Sequence, residues 1–264
     1  MTPHVAGIVN VTEDSFSDGG RYLEPERALA HARQLVADGA DSIDLGPASS
    51  RPEAVPVEAA EEIRRLEPIL DPLIADGVRV SVDSCQIETQ RFALACPIAF
   101  LNDIRGFPDP ALYPALAAHA CRLVVMHQIG ERATREPVAP EGVLASIHRF
   151  FDERLAALER AGVARERLIV DPGMGFFLGG DPAASWTVLR AIPDLKRRWE
   201  LPVYVCVSRK GFLGRLTGRR LDAVGPATLS AELYAAEQGV DYIRTHDVRA
   251  LRDALLIRQV LRGR

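Results

Sequence analysis

Eight short apolar runs, nearly all finishing on a polar, charged or glycine residue and each separated from the next by a stretch of different spacing, constrain this chain more than any other feature. They cover 5–10, 41–46, 78–83, 99–104, 122–127, 168–171, 203–208 and 242–246. Apolar runs this short, without helical periodicity, read as strands buried on both faces. Between them, apolar residues recur at helical spacing. Val57, Ile63, Leu66, Leu70 and Leu73 form one such stripe, and Val143, Ile147, Phe151, Leu155 and Leu158 form the clearest. Others are Trp186, Leu189, Ile192 and Leu195, then Leu229, Leu233 and Ala236, with a last amphipathic helix over 248–261. Strand and helix in alternation imply parallel strands with crossover helices, and eight units in about 250 residues is the size of a (β/α)8 TIM barrel, an α/β fold. We expect one such domain over 1–264. An open doubly wound sheet fits less well, because no G-x-G-x-x-G follows the first run and no P-loop lysine motif occurs.

Composition narrows the function classes. With 264 residues, 47% hydrophobic, the chain can bury a large core. A net charge of -4 and the lack of an aromatic-studded basic stripe speak against a nucleic-acid partner. No apolar run reaches the roughly 18 residues of a membrane span, and Met1-Thr2-Pro3-His4 lacks the basic and apolar regions of a signal peptide, so the expectation is a cytoplasmic protein without a membrane partner. Cys85, Cys96, Cys121 and Cys206 are scattered without a C-x-x-C pair, which suits core packing better than disulfides or structural zinc.

Barrels of this kind build their sites at the carboxyl ends of the strands. Those ends carry Asn10, the segment 46–51, Asp83, Asn102-Asp103, His127, Asp171, Ser208-Arg209-Lys210 and Arg244-Thr245-His246. Asp83, Asn102 and Asp171 can converge on a flat heterocycle that offers an amino group, a ring N–H and a carbonyl, a match that leaves no polar group unpaired. Any one of the three alone is better read as a loop cap; together with Lys210 they favour a ligand. Asp103 is expected to be structural, and His127 to pack or to support. Lys210 can bond a ring carbonyl, orient a nucleophile or form a Schiff base, and the residues alone leave these open.

A second group consists of Arg51, Arg244 and His246 with Asn10 and the polar loop 12–20. Arginine forks match phosphate oxygens, and an asparagine oxygen can help hold Mg2+ whose other ligands are phosphate and water. The competing reading is a surface salt-bridge cluster. Phe92, Phe100, Met126 and Trp186 are expected in the core, and 128–140 as a polar loop.

Together, Asn10-Val11-Thr12 with Asp14-Ser15-Phe16-Ser17-Asp18-Gly19-Gly20, Ser49-Ser50-Arg51-Pro52, Ser81-Val82-Asp83, Asn102-Asp103-Ile104, Asp171-Pro172-Gly173, Ser208-Arg209-Lys210 and Arg244-Thr245-His246-Asp247 resemble dihydropteroate synthase. The match runs in order through nearly the whole chain. It implies a (β/α)8 enzyme of folate synthesis that joins 6-hydroxymethyl-7,8-dihydropterin pyrophosphate to p-aminobenzoate. Carried over, Asp83, Asn102, Asp171 and Lys210 hold the pterin, with Asp83, Asp171 and Lys210 as the catalytic groups. Asn10 takes Mg2+, while Arg51, Arg244 and His246 join it around the pyrophosphate. Ser50, Arg51, Pro52, Phe176, Phe177, Ser208 and Lys210 border p-aminobenzoate, loops 12–20 and 47–56 close over the site, and the protein is a homodimer, through its last helices.

Departures from the family pattern gather on one side. The pattern has glutamate where Ala48 stands, threonine at Ser50, glycine at Glu53 and serine at Gly211. After the sixth-strand aspartate it reads Gly-x-Gly-Phe-Gly-Lys, against Gly173-Met174-Gly175-Phe176-Phe177-Leu178 here. These changes, with Ile104-Arg105-Gly106-Phe107-Pro108, resemble the sulfonamide-insensitive synthases of mobile resistance elements. Two other readings share the pterin-binding logic: a folate-binding barrel methyltransferase, which has little use for Arg51, Arg244 and Asn10, and a non-catalytic pterin-binding barrel, which has little use for Lys210.

Overall fold

Every apolar run forms a strand, and after each strand the chain passes through a helix on the outside of the sheet. The computed structural model describes residues 2–12, 25–130, 133–136 and 139–263. Over these, β1 (His4–Asn10), α1 (Pro25–Ala37), β2 (Ser42–Gly46), α2 (Ala59–Ala75), β3 (Val80–Asp83), α3 (Ile87–Leu94), β4 (Phe100–Asp103) and α4 (Tyr113–Ala118) make the first half. The second half is β5 (Arg122–Met126), α5 (Val143–Arg160), β6 (Leu168–Asp171), α6 (Pro182–Trp199), β7 (Tyr204–Val205), α7 (Gly211–Thr217), α8 (Gly225–Glu237), β8 (Tyr242–Thr245) and α9 (Val248–Leu261). The strands are parallel in the order β6-β5-β4-β3-β2-β1-β8-β7. A parallel bridge between Val170 and Val203, with the Val170 N–H donating to the Pro202 carbonyl at 3.0 Å, brings β6 against β7 and nearly closes the ring. The fold is the (β/α)8 barrel expected from the sequence. Among the described residues, no helix is long and apolar enough to cross a membrane.

Alternation along each strand divides its residues between two environments. Val5 and Val9, Ile43 and Leu45, Val80 and Val82, Leu101, Leu123 and Val125, Leu168 and Val170, Val203 and Val205, and Ile243 face outward into the core beneath the helices. The intervening positions face inward, where Ala6, Phe100, Val124, Ile169, Tyr204 and Tyr242 fill the barrel. Two residues further toward the carboxyl end, the inward parity reaches Asn102, Asp171 and Arg244; on β1, β2 and β3 it takes in Asn10, Asp44 and Asp83. Helices cover the outer face with the stripes read from the sequence: Leu66, Leu70 and Leu73 of α2, and Val143, Ile147, Phe151, Leu155 and Leu158 of α5, are buried.

Three expectations need correction. The seventh strand, expected over 203–208, is regular only at Tyr204–Val205. Its end leaves the ladder because the Lys210 N–H turns back to the Val207 carbonyl and Arg209 adopts φ 53°. Helix α7 had no counterpart in the sequence reading, since it is two turns long and contains Gly211 and Gly214. In α8 the leucine stripe is only half-buried. The face against the barrel is Thr228, Ala231, Glu232, Ala235 and Ala236. Of the polar loop expected at 12–20, only Thr12 lies among the described residues.

Candidate active site

Burying a charge is costly unless a partner of opposite sign is held beside it. At the centre of the barrel mouth Arg244 meets that need for two carboxylates at once, with Nε 2.5 Å from Asp44 Oδ2 and Nη2 2.9 Å from Asp83 Oδ2. Asp44 is fully buried. Burial works against the Arg244 charge, but the two carboxylates raise its pKa well above the usual value. Burial drives Asp83 up to about 7, with Arg244 opposing and Asp44 adding to the rise. Asp171 rises to about 6 for the same first cause, held back by the Gly173 N–H that donates to its Oδ1 at 2.8 Å and by the charge of Lys210. Both acids are therefore poised to change protonation near neutral pH. Asp44 was not foreseen; a carboxylate in mid-strand was the only signal for it.

The neighbours of these acids follow from register. Asn102 lies opposite Asp83 across the β3–β4 ladder. Its Oδ1 is buried with no hydrogen-bond partner among the described residues, an open acceptor at the mouth. The next residue, Asp103, has the opposite parity and is structural as expected. It accepts from Arg105 N, Phe107 N and Gln90 Nε2 at 2.7, 3.0 and 2.9 Å, pinning a turn in which Phe107 takes φ 60°. Beneath Asp83, the Ser84 hydroxyl donates to the buried Glu62 at 2.5 Å.

Asn10 pairs with Gly46 in the β1–β2 ladder. A Cβ at Gly46 would lie 3.3 Å from Asn10 Oδ1 and 3.9 Å from Arg244 Nη2, so the missing side chain opens a gap between these two groups. Among the described residues, no three His, Cys, Asp or Glu side chains gather as a metal cage. Asn10 fits a hard cation that brings phosphate and water ligands of its own, and does not make a closed site.

Lys210 enters over the sixth-strand turn. Its stem lies along Gly175 and its Nζ stands 4.6 Å from the centre of the Phe177 ring. Arg209, in the left-handed region, separates Lys210 from Ser208, a conformation that costs energy and recurs at functional turns. Ser208 Oγ is 2.9 Å from His246 Nδ1 and accepts from the His246 N–H at 3.1 Å. Burial and the charges of Arg209, Arg244 and Lys210 push the imidazole down to about 3, so it is neutral at physiological pH. His127 is a packing residue: buried, pushed down to about 4, with Nδ1 3.2 Å from the Pro172 carbonyl and Nε2 3.1 Å from Ser146 Oγ.

On the far side of Lys210 lie the sixth-strand turn and the segment 50–53. Ser50 and Arg51 are exposed and Pro52 half-buried. Glu53 is ion-paired with Arg135, whose guanidinium lies 4.8 Å over the Phe176 ring, with Arg215 at 6.0 Å from the same ring. The loop after β5 is bonded to the same segment, through Thr134 N–H to the Phe176 carbonyl at 2.9 Å and Ile129 N–H to the Phe177 carbonyl at 2.8 Å. A Cβ at Gly211 would stand 3.3 Å from Phe176 Cζ, so glycine there accommodates the ring. Gly173 has φ +76°, and a Cβ would fall 2.4 Å from the His127 carbonyl oxygen, which fixes glycine after Asp171-Pro172.

Residues 6–246 match the family described as pterin binding enzyme. The chain is 55% identical to the dihydropteroate synthase type-2 of Escherichia coli over 259 residues, 98% of this chain and 96% of that protein. Among solved structures, the dihydropteroate synthase of Xanthomonas albilineans with 4-aminobenzoic acid superposes with a TM-score of 0.91 at 38% identity, covering 100% of this chain and 94% of that one. The same species' enzyme in complex with 7,8-dihydropteroate gives 0.84 at 34% identity, covering 100% and 94%.

The arginine between the two acids makes a direct prediction. Arg244→Met leaves Asp44 and Asp83 without their partner in a buried site and should cost about 3–5 kcal/mol in urea unfolding. A loss below about 1 kcal/mol, the value of an exposed ion pair, would show that the mouth is wetter than its burial indicates.

Proposed function

The chain belongs to the dihydropteroate synthase family of pterin-binding enzymes, and from that premise we propose the reaction in full. A transferase of folate synthesis that makes dihydropteroate, it joins 6-hydroxymethyl-7,8-dihydropterin pyrophosphate to p-aminobenzoate and releases pyrophosphate. The observation that carries this reading is the inward-facing set Asp83, Asn102 and Asp171, with the charge of Lys210 near both acids and a buried Asn102 oxygen that has no partner among the described residues. Asp83 and Asp171 accept from ring and amino N–H groups, and Lys210 donates to the ring carbonyl. Arg244, with Arg51, His246 and Asn10, receives the pyrophosphate. When bound at Asn10, Mg2+ supplies positive charge to the leaving group.

As the methylene–oxygen bond breaks, its electron pair leaves with pyrophosphate, toward the arginines. The methylene cation left on the pterin is stabilised by the Asp83 and Asp171 carboxylates. The arylamine lone pair then forms the new C–N bond and the amine proton is lost to solvent. Ser50, Arg51, Pro52, Phe176, Phe177, Ser208 and Lys210 border the arylamine. Of the two loops that close over this step, 12–20 lies outside the described residues apart from Thr12.

We further propose that the enzyme is insensitive to sulfonamides. These drugs copy p-aminobenzoate but carry a substituent beyond the position of its carboxylate, and bulk at the pocket mouth rejects them while sparing the substrate. The support is the Phe176-Phe177 pair in place of Phe-Gly, buttressed by Arg135, Arg215 and Lys210. We propose a cytoplasmic protein and a homodimer formed through α9, where Leu256, Ile257, Val260 and Leu261 are exposed, as is Tyr234 of α8.

Purified protein with Mg2+ and both substrates should release pyrophosphate in step with dihydropteroate; no release would sink the enzymatic reading. Phe177→Gly should lower the inhibition constant of a sulfonamide by about tenfold or more, the discrimination a single apolar contact can supply, and an unchanged constant would remove the steric account. Pterin binding should expel protons at pH 6, where Asp83 and Asp171 are still partly protonated, and expel none at pH 8.5, where both are already ionised. Calorimetry in buffers of different ionisation enthalpy reads this, and zero exchange at pH 6 would refute the roles of the two acids. In sedimentation, Ile257→Glu with Leu261→Glu should convert a dimer to a monomer, and a native protein already monomeric would rule the dimer out.

A further inference from the structure

Glu232 of α8 is 1% exposed, lies outside the barrel wall, and has no place in the chemistry above. Its carboxyl lies against the Thr245 hydroxyl, which lowers its pKa, while its Oε1 has no hydrogen-bond partner among the described residues. Thr245 is fully buried and has outward parity on β8, so it spans the wall between α8 and the mouth. Its Oγ1 is 3.5 Å from Ser208 Oγ and receives the Asp247 N–H at 3.3 Å. Ser208 Oγ in turn meets His246 Nδ1 at 2.9 Å and accepts from the His246 N–H at 3.1 Å. Four side chains thus lie in series between a sequestered carboxyl and the imidazole at the mouth.

Two proton arrangements satisfy this path. With Glu232 as a neutral acid, the carboxyl donates to Thr245, Thr245 to Ser208, and Ser208 to His246 Nδ1, so the ring proton resides on Nε2. With Glu232 ionised, every hydroxyl turns round. Thr245 donates to the carboxylate, Ser208 to Thr245, and His246 donates from Nδ1, leaving a lone pair on Nε2. In both arrangements Ser208 and Thr245 each accept two bonds and donate one, so the path has two complete states and no broken one.

We propose that Glu232 is a positioning residue that sets, through Thr245 and Ser208, which ring nitrogen of His246 carries the proton. The neutral acid presents an Nε2–H donor to an anionic ligand; the carboxylate presents a lone pair that repels it. The consequence for substrate rests on the reading that His246 receives pyrophosphate, whereas the tautomer does not. Burial pushes Glu232 up to about 8, with Asp247 adding to the rise and Thr245 opposing it, and Cys206 also lies within its field. The groups facing His246 are Arg209, Arg244, Lys210 and His31, all of which hold the imidazole neutral across this range. The tautomer is then what pH changes, with the Nε2–H form present below about pH 8 and lost above it.

The test is 15N NMR of the histidine rings in the intact protein, with His246 assigned by His246→Gln. The wild type should carry Nε2–H at pH 6.5 and shift to Nδ1–H by pH 9.5, whereas Glu232→Gln and Thr245→Val should each show a tautomer that pH does not move. A wild-type tautomer constant from pH 6.5 to 9.5, or a Glu232→Gln protein that switches as the wild type does, overturns the proposal. In kinetics, the wild-type KM for the pterin pyrophosphate should rise about tenfold more than that of Glu232→Gln between pH 7 and 9.5, because the competent fraction falls. Substrate ionisation is common to both proteins and cancels in that ratio. A tautomer that switches while the ratio stays at one supports the relay and removes the pyrophosphate role from His246 instead.

Discussion

Arg244 holds two acids where water reaches poorly, and the rest of the mouth is arranged around that fact. Asp44, Asp83 and Arg244 bring an unbalanced negative charge into the barrel. Desolvation favours protonation of one carboxylate, and the raised pKa of Asp83 records this competition. Removing the arginine would leave both acids stranded. Because a single guanidinium touches Asp44 and Asp83 and faces Asn10 across the gap at Gly46, β1, β2, β3 and β8 meet at one side chain.

The site has two layers with different tolerance. Strand ends carry the groups that accept and stabilise, and the ladder fixes them in register with their neighbours, as Asp83 with Asn102 and Asn10 with Gly46. Loops carry Ser50 to Glu53, Phe176-Phe177 and Gly211, the groups proposed to select the acceptor. This division is the one expected of a rigid scaffold that presents variable loops. It explains how the loop residues can depart from the family pattern while the strand-end residues keep it.

Much of this was legible because strands have a period of two and because the carboxyl ends of barrel strands face one space. Asp83, Asn102 and Asp171 were readable for that reason, and parity distinguishes Asn102 from Asp103. Asp44 escaped because nothing in a run ending at Gly46 marks its middle residue as a partner for an arginine two hundred residues away. Glu232 escaped for another reason. Leu229 and Leu233 drew attention to a face of α8 that is only half-buried, while the face against the barrel is built from alanines around one carboxyl. Short α7 and the left-handed Arg209 depend on tertiary contacts that local propensity does not encode.

Phe176 stands where a side chain at position 211 would have to be, with 3.3 Å between the ring and the Cβ that glycine lacks. Any side chain added at 211 would need the ring to give by a few tenths of an ångström, so the width of this corner is set by a residue that has no side chain.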